Sequence, residues 1–544
     1  MRSARLLARS TRLLGRSHLR RYASSARQSP NSSQNEVVKD QTSFKLDKNV
    51  INSTPLTEPL KGLGPVKYTS YSDIIPFDTK LTKLESGLQV ATEAHYGDYC
   101  TIGVAIDSGS RFEASYPNGT SHFIEKLAFT STPSFNSKEE MFSVLEKYGA
   151  IIDCQSTKET FIFAASCHIS GVEQVLTIIA DAVHRPLFSE QELNDARQIV
   201  EFENTDMNSK PECEPLLTDW VHSAAYNGNT LGFSKYCPPP NVHKITRQHL
   251  YSYMSQYHTP SRIAVGGIGV DHKSFVDASV RLFDPSKTIW ATEPSLCLPD
   301  MPDLDESLAQ YTGGELRVAK DLSHMALGPA PFPNLAHFVL GFESCGYKDD
   351  DFIPSCVLQT LMGGGGSFSA GGPGKGMYTR LYVDVLNKCH YMYNATAYNQ
   401  TYKDSGIFYI HASSEPRLIG ETARVIVNEF LRLSKGTEAE ELERAKTQLK
   451  SQLMMNLEMR PVMFEDLVRQ VIGHGFRRKP QEYLDKIDAV TNDDIVRFAE
   501  RMLSTIPTVV GYGDLAHLPS YQKICQAMAK RSVDELRKSR VFGF

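Results

Sequence analysis

Apolar and polar residues alternate along Phe161-Ile162-Phe163-Ala164-Ala165-Ser166-Cys167 and again along Gly406-Ile407-Phe408-Tyr409-Ile410-His411-Ala412. A period of two predicts a β-strand at each place. Helical periodicity of three to four marks other stretches, among them Asn194 to Asn204, and Ile353 to Met362 is an apolar run. Laid against itself, the chain repeats this pattern. Ile245-Thr246 through Gly266 runs without a gap against Val490-Thr491 through Gly511, an offset of 245 residues. Each copy predicts a helix, a turn and a strand that ends in glycine. Glu192-Leu193-Asn194-Asp195-Ala196-Arg197 matches Glu441-Leu442-Glu443-Arg444-Ala445-Lys446, each opening a long helix, and Gly103 to Gly109 matches Val339 to Gly346 more loosely.

The order of elements in each half is strand, helix, helix, hairpin of strands, two or more helices, then helix and strand. That order predicts an α+β fold of two homologous domains. Each domain is expected to be a mainly antiparallel sheet with helices packed on one face, the pair forming a clamp around a cavity. The expected divisions are residues 65–285, a Pro- and acid-rich linker at 286–310 and a second domain at 311–530, with a C-terminal tail at 531–544.

The first thirty residues follow a different rule. Arginines at 2, 5, 9, 12, 16 and 20 share one helical face, leucines 6, 7, 13 and 14 contribute to the other, and no acid occurs before Glu36. An Arg- and Ser-rich amphipathic leader of this kind reads as a mitochondrial transit peptide over residues 1–22, pointing to the matrix, with a flexible segment at 23–64. Losing it, with its seven arginines, takes the formal charge from −5 to about −12. An acidic body argues against nucleic acid and for basic partners. No apolar run is long enough for a transmembrane segment. The ten cysteines contain no C-x-x-C pair, so they read as reduced thiols and not as a zinc ribbon or disulfide framework.

Two segments carry candidate chemistry. The first is His122-Phe123-Ile124-Glu125-Lys126. Zinc peptidases of the inverted type use H-x-x-E-H, which puts two imidazoles on one helix face with a glutamate beside them as general base. Glu203, on a later helix, stands where a third ligand is expected. Here the second imidazole is replaced by Lys126. An ammonium about 4 Å from Zn²⁺ is repelled by roughly 8 kcal/mol at an effective dielectric of about 20. The motif therefore reads as degenerate, with no metal and no catalytic residue in this chain. The second segment is Gly363-Gly364-Gly365-Gly366-Ser367-Phe368-Ser369-Ala370-Gly371-Gly372-Pro373-Gly374-Lys375-Gly376, in which eight of fourteen residues are glycine. It interrupts a folded domain, so it is expected to be a mobile arm or a place where another backbone approaches closely. It lacks the glycine and hydroxyl positions of a phosphate-binding loop.

The duplication, the degenerate motif and the glycine loop together resemble the pitrilysin-type metallopeptidases over roughly residues 65 to 525. Within that family the loop is similar to that of non-catalytic members. Supporting stretches include Ala224-Ala225-Tyr226, Gln310-Tyr311-Thr312-Gly313-Gly314-Glu315 and Asp404-Ser405-Gly406-Ile407-Phe408. The resemblance implies a heterodimer whose beta subunit holds the zinc and cuts. This chain would recognise the basic amphipathic presequences of imported precursors. Its substrate-binding residues would be Gly363, Gly364, Gly365, Gly366, Ser367, Phe368, Ser369, Gly371, Gly372, Gly374, Lys375 and Gly376. The alternative it leaves open is a core scaffold subunit of mitochondrial ubiquinol–cytochrome c reductase.

Overall fold

The computed structural model describes residues 53, 55, 58, 75–210, 213–323, 332–366 and 377–536. The leader at 1–22, nearly all of 23–64, and Ser367 to Gly376 of the glycine loop lie outside the described residues.

Among the described residues, twelve strands form two six-stranded sheets. The first contains β1 (Thr79–Lys83), β2 (Gln89–Glu93), β3 (Tyr99–Asp107), β4 (Ile151–Ser156), β5 (Thr160–His168) and β6 (Ile263–Ile268), in the order β1-β2-β6-β3-β5-β4. The second contains β7 (Gly314–Ala319), β8 (Ala336–Ser344), β9 (Gly364–Gly366), β10 (Met392–Thr401), β11 (Gly406–Ser414) and β12 (Thr508–Gly513), in the order β7-β12-β8-β11-β10-β9. Pairing is antiparallel except at β2/β6 and β7/β12, one parallel pair in each sheet. The run β2-β6-β3-β5-β4 therefore recurs as β7-β12-β8-β11-β10, as the sequence repeat requires. The two sheets differ at their margins: β1 is added to one edge of the first, and the all-glycine β9 to the opposite edge of the second.

The helices of the first half are α1 (Thr120–Lys126), α2 (Lys138–Lys147), α3 (Val172–His184), α4 (Glu190–Ser209), α5 (Glu214–Ala225), α6 (Arg247–Tyr257), α7 (His272–Leu282) and the short α8 (Ile289–Thr292). Those of the second half are α9 (Phe352–Met362), α10 (Ile419–Leu433), α11 (Ala439–Leu457), α12 (Arg460–His474), α13 (Pro480–Ala489), α14 (Asn492–Leu503) and α15 (Tyr521–Ala529). Their ends are set locally. Ser189 with Glu192 and Thr491 with Asp494 close reciprocal capping boxes that start α4 and α14, and Gly475 at φ 78° ends α12.

Helices cover one face of each sheet, as expected, but the other face is not bare. It is covered by a helix from the opposite half. On the first sheet, Met463, Phe464, Leu467, Val468 and Val471 of α12 pack on Ala91, Ala105, Ile162, Ala264 and Ile268. On the second, Leu217, Val221 and Ala224 of α5 pack on Val339, Ile407, Tyr409, Val510 and Tyr512. This exchange explains why residues 100–106 of β3 are buried without alternation: both faces of the strand are covered. It also places glycine in the middle of two strands. Gly103 and Gly266 are register partners across β3 and β6, and a Cβ at Gly266 would lie 2.3 Å from Val468 Cγ1. Only a residue without a side chain lets α12 approach so closely.

Polar contacts reinforce the exchange. Arg477, just past α12, forms a buried ion pair with Glu93 of β2, and Arg460 at its start donates to Tyr99 O at 2.7 Å. Arg111 of the first half donates to both carboxylate oxygens of Asp404 in the second, at 3.0 and 2.8 Å, and also pairs with Glu159. The segment expected as the linker is pinned at intervals, with Leu298 N–H donating to Ser252 Oγ and Ala309 N–H to Asp404 Oδ2, each at 2.8 Å.

Candidate functional site

Helix α1 is short and starts without a side-chain cap of its own, from Gly119 at φ 104°. The free N–H groups of its first turn are satisfied from upstream. The Glu113 carboxylate accepts Gly119 N–H and Ser121 N–H at 2.6 Å each, and the Ser121 hydroxyl at 2.5 Å. Glu113 is buried, which pushes its carboxyl up to about 7, while these hydrogen bonds from Ser121 and Gly119 pull against that rise. A buried carboxyl thus fixes the direction in which α1 presents the next turn.

That turn carries His122, Glu125 and Lys126, and α4 brings Glu203 beside them. All four motif residues come together. Lys126 Nζ sits 2.6 Å from Glu203 Oε1 and 3.7 Å from Glu125 Oε1. Glu125 accepts the backbone N–H of Ser156 at 2.8 Å as well as its hydroxyl, and Lys235 Nζ stands 3.6 Å from its second oxygen. His122 Nε2 lies 3.1 Å from Glu203 Oε2. Burial alone would raise both carboxyl pKa values. For Glu203 the contacts with His122 and Lys126 outweigh it and bring the pKa down to about 2. For Glu125, Lys235, Ser156 and Lys126 do the same and leave it below the usual carboxylate range.

The other ring nitrogen of His122 decides what the imidazole can do. Cys237 N–H donates to Nδ1 at 3.2 Å, and a backbone amide can only donate. In the neutral ring the proton is then on Nε2, the nitrogen that faces Glu203. The lone pair a metal would need at that position is therefore taken up by the proton. The donor set does not fit zinc. An ammonium occupies the seat between the two carboxylates, and the one imidazole turns Nε2 toward Glu203. Among the described residues no group of three or more His, Cys, Asp or Glu side chains is placed to hold a metal ion. In this arrangement Lys126 and Lys235 offset the charges of Glu203 and Glu125.

Ser156, Lys235, Cys237 and Glu113 complete this cluster without any signal in spacing. Ser156 and Lys235 lie 31 and 110 positions from Glu125. They arrive through the β4 edge and the loop after α5.

Of the glycine loop, Gly363 to Gly366 fall within the described residues. These four are not a loose arm. Gly364, Gly365 and Gly366 pair with Thr396, Ala395 and Asn394 as the edge strand β9. Gly363 (φ 53°) closes α9, and a Cβ there would be 2.3 Å from Thr379 Cγ2. A Cβ at Gly364 would be 1.9 Å from Ala395 O. Close approach, not freedom, is what requires glycine at these positions. At Gly365 the space is open, with nothing within 4 Å of an added Cβ. Ser367, Phe368, Ser369, Gly371, Gly372, Gly374, Lys375 and Gly376 lie outside the described residues. Gly363 to Gly366 pack within the second sheet, whereas the four motif residues belong to the first half of the chain.

Residues 89–239 match the sequence profile of insulinase (peptidase family M16), and residues 244–449 match that of the peptidase M16 inactive domain. Among curated relatives, the mitochondrial-processing peptidase subunit alpha of Caenorhabditis elegans is 47% identical over 505 residues, covering 91% of this chain and 96% of the relative. The proteins of the same name from Homo sapiens and Bos taurus are 44% and 45% identical over 488 residues, each covering 90% of this chain and 92% of the relative.

Proposed function

The chain belongs to peptidase family M16, among the mitochondrial-processing peptidase alpha subunits, and from that membership we propose that it is the non-catalytic subunit of a heterodimeric processing peptidase. It holds the presequence of an imported precursor in the mitochondrial matrix while a zinc-bearing beta subunit cuts. The observation that carries this reading is Lys126 seated between Glu203 and Glu125, with His122 Nδ1 already taken by Cys237 N–H. No protein group here is left to bind or activate a zinc-bound water. The acidic body supports a basic presequence as ligand. The glycine edge strand supports one of relaxed sequence, since backbone groups read an extended chain without selecting its side chains.

The test is purification of this chain alone, of the beta subunit alone and of the two together. Each is assayed for zinc per chain, for binding of a fluorescent precursor peptide and for its cleavage. Zinc should follow the beta subunit, and cleavage should need both chains. Deleting part of residues 363–376 should weaken peptide binding with the heterodimer intact. A partner-free preparation that carries one zinc per chain and cleaves the peptide would refute the proposal.

A further inference from the structure

A groove of about 300 Å³ opens where the turn before α9, the end of α12, α13 and the start of α14 meet. Its apolar lining includes Tyr347, Phe352 and Val490, and its charged lining includes Lys348, Arg478 and Lys486. The acids nearby are mostly spent on other arginines. Asp349 pairs with Arg501 at 2.9 Å, and Asp351 pairs with Arg497 and Arg501 at 2.8 and 3.0 Å. Asp494 is held by Arg497 at 2.7 Å and by the amide and hydroxyl of Thr491. By contrast, among the described residues none of Lys348, Arg478 and Lys486 has a carboxylate within 4 Å. Of the lining acids only the exposed Asp350 is likewise unpaired. Three cations without an ion pair, of which Arg478 leans on Tyr483 and the Phe476 ring, against one such carboxylate leave the groove positive on a chain that is otherwise acidic.

The three cations also converge. All three line the one groove, and His474 at the end of α12 has its pKa lowered first by burial and then by the charges of Arg478, Lys348 and Lys486. Its edge meets the Tyr347 ring at 5.3 Å and 76°. Three cations beside aromatic and apolar side chains, with Asp350 as the one unpaired carboxylate, match a ligand with an anionic end and a flat or apolar end. A presequence, being basic, would be repelled from this groove.

We propose that the groove is a second ligand site, separate from presequence binding, which takes a phosphate-bearing anion with an apolar or aromatic portion, of the nucleotide class. Phosphate oxygens would engage Lys348, Arg478 and Lys486, and the base would lie against Tyr347 and Phe352.

The experiment titrates the heterodimer with ATP, AMP and inorganic phosphate by calorimetry. Sedimentation with phosphatidylcholine vesicles, with and without phosphatidylglycerol, runs in parallel. The variants are K348E/K486E, whose side chains are exposed, and R478A, with melting temperatures as the control on folding. If the double variant melts early, K486Q alone replaces it. Saturable nucleotide binding, tighter than that of inorganic phosphate and weakened about five-fold per reversed charge, is the expected result; this corresponds to ~1 kcal/mol, the upper range for an exposed ion pair. Charge-sensitive binding to the anionic vesicles alone would support the same chemistry with a lipid headgroup as its source. Absence of saturable binding to any probe, or binding indifferent to the variants, would overturn the proposal.

Discussion

The exchange of α5 and α12 between the halves rests on a steric fit that a double-mutant cycle can measure. Gly266 sits in β6 with Val468 and Phe464 of α12 directly above it: an added Cβ would be 2.3 Å from Val468 Cγ1 and 3.1 Å from Phe464 Cε2. Gly266→Ala therefore overpacks the interface, at a cost of about 1–3 kcal/mol. Val468 is fully buried, so Val468→Ala leaves a cavity. Its cost should also be about 1–3 kcal/mol, between those of Ile→Val and Leu→Ala. In the double variant the new methyl at 266 enters the space vacated at 468. The two losses should then fall short of additive by about 1–2 kcal/mol. Gly103 is unsuitable for the same cycle, because its Cβ would strike Phe163 O at 2.2 Å whatever α12 does. The assay is urea unfolding followed by far-ultraviolet dichroism and tyrosine fluorescence, whose midpoints must coincide for the free energies to be compared. If the two losses add to within ~0.5 kcal/mol, the sites do not touch and the exchanged packing is refuted.

Two further outcomes follow from individual side chains. Lys126→His completes H-x-x-E-H, yet it should load well under one zinc per chain by metal analysis, because Cys237 N–H still directs the His122 proton to Nε2. Stoichiometric loading would show that this hydrogen bond does not set the tautomer. His222 is buried between Thr218 O, to which Nδ1–H donates at 2.6 Å, and the Tyr402 hydroxyl, which donates to Nε2 at 2.8 Å. Burial, with the field of Lys158 added, brings its pKa down to about 3 from 6.5. The unfolded chain takes up this proton below pH 6.5 while the folded chain refuses it until about pH 3. Stability is accordingly lost as pH falls, by about 1.4 kcal/mol per pH unit in that window. His222→Gln should flatten the stability curve by about that slope between pH 4 and 6, and an unchanged slope would mean that the folded ring is already protonated there.

The duplication was legible in the chain because equivalent elements kept similar residues in constant order: α6 with β6 and α14 with β12 are the gapless match at 245 positions. The exchange of helices was not. An apolar stripe such as Met463, Phe464, Leu467, Val468 and Val471 demands burial but does not say against which sheet. The local hint was glycine at 103 and 266 inside otherwise apolar strands, which marks a close approach without naming what approaches. In the metal-like constellation His122, Glu125 and Lys126 were legible because they sit at helical spacing, and Glu203 because it stands where a third ligand is expected. Ser156, Lys235 and Cys237 were not, since each reaches the cluster through tertiary structure alone. At the glycine loop the composition left open a mobile arm or a close approach of another backbone, and Gly363 and Gly364 are places of close approach.

The balance of charge in the motif pocket constrains how a basic presequence can be held. Glu125 and Glu203 are the carboxylates a catalytic relative would turn toward a metal, and here Lys126 and Lys235 stand within 4 Å of them. Two anions and two cations leave no net charge to attract a ligand. On the function proposed, a pocket without net charge does not concentrate presequence affinity. On that reading the affinity comes from many surface carboxylates, each contributing about 0–1 kcal/mol, together with backbone contacts. Exposed charges acting across water are screened beyond about 10 Å at 0.1 M salt and about 3 Å at 1 M. Peptide binding by the heterodimer should therefore weaken steeply between these concentrations, while Lys126→Gln, which frees Glu203, should strengthen it at low salt. Salt-insensitive binding, or no gain from Lys126→Gln, would place the recognition in a buried pocket and contradict this account.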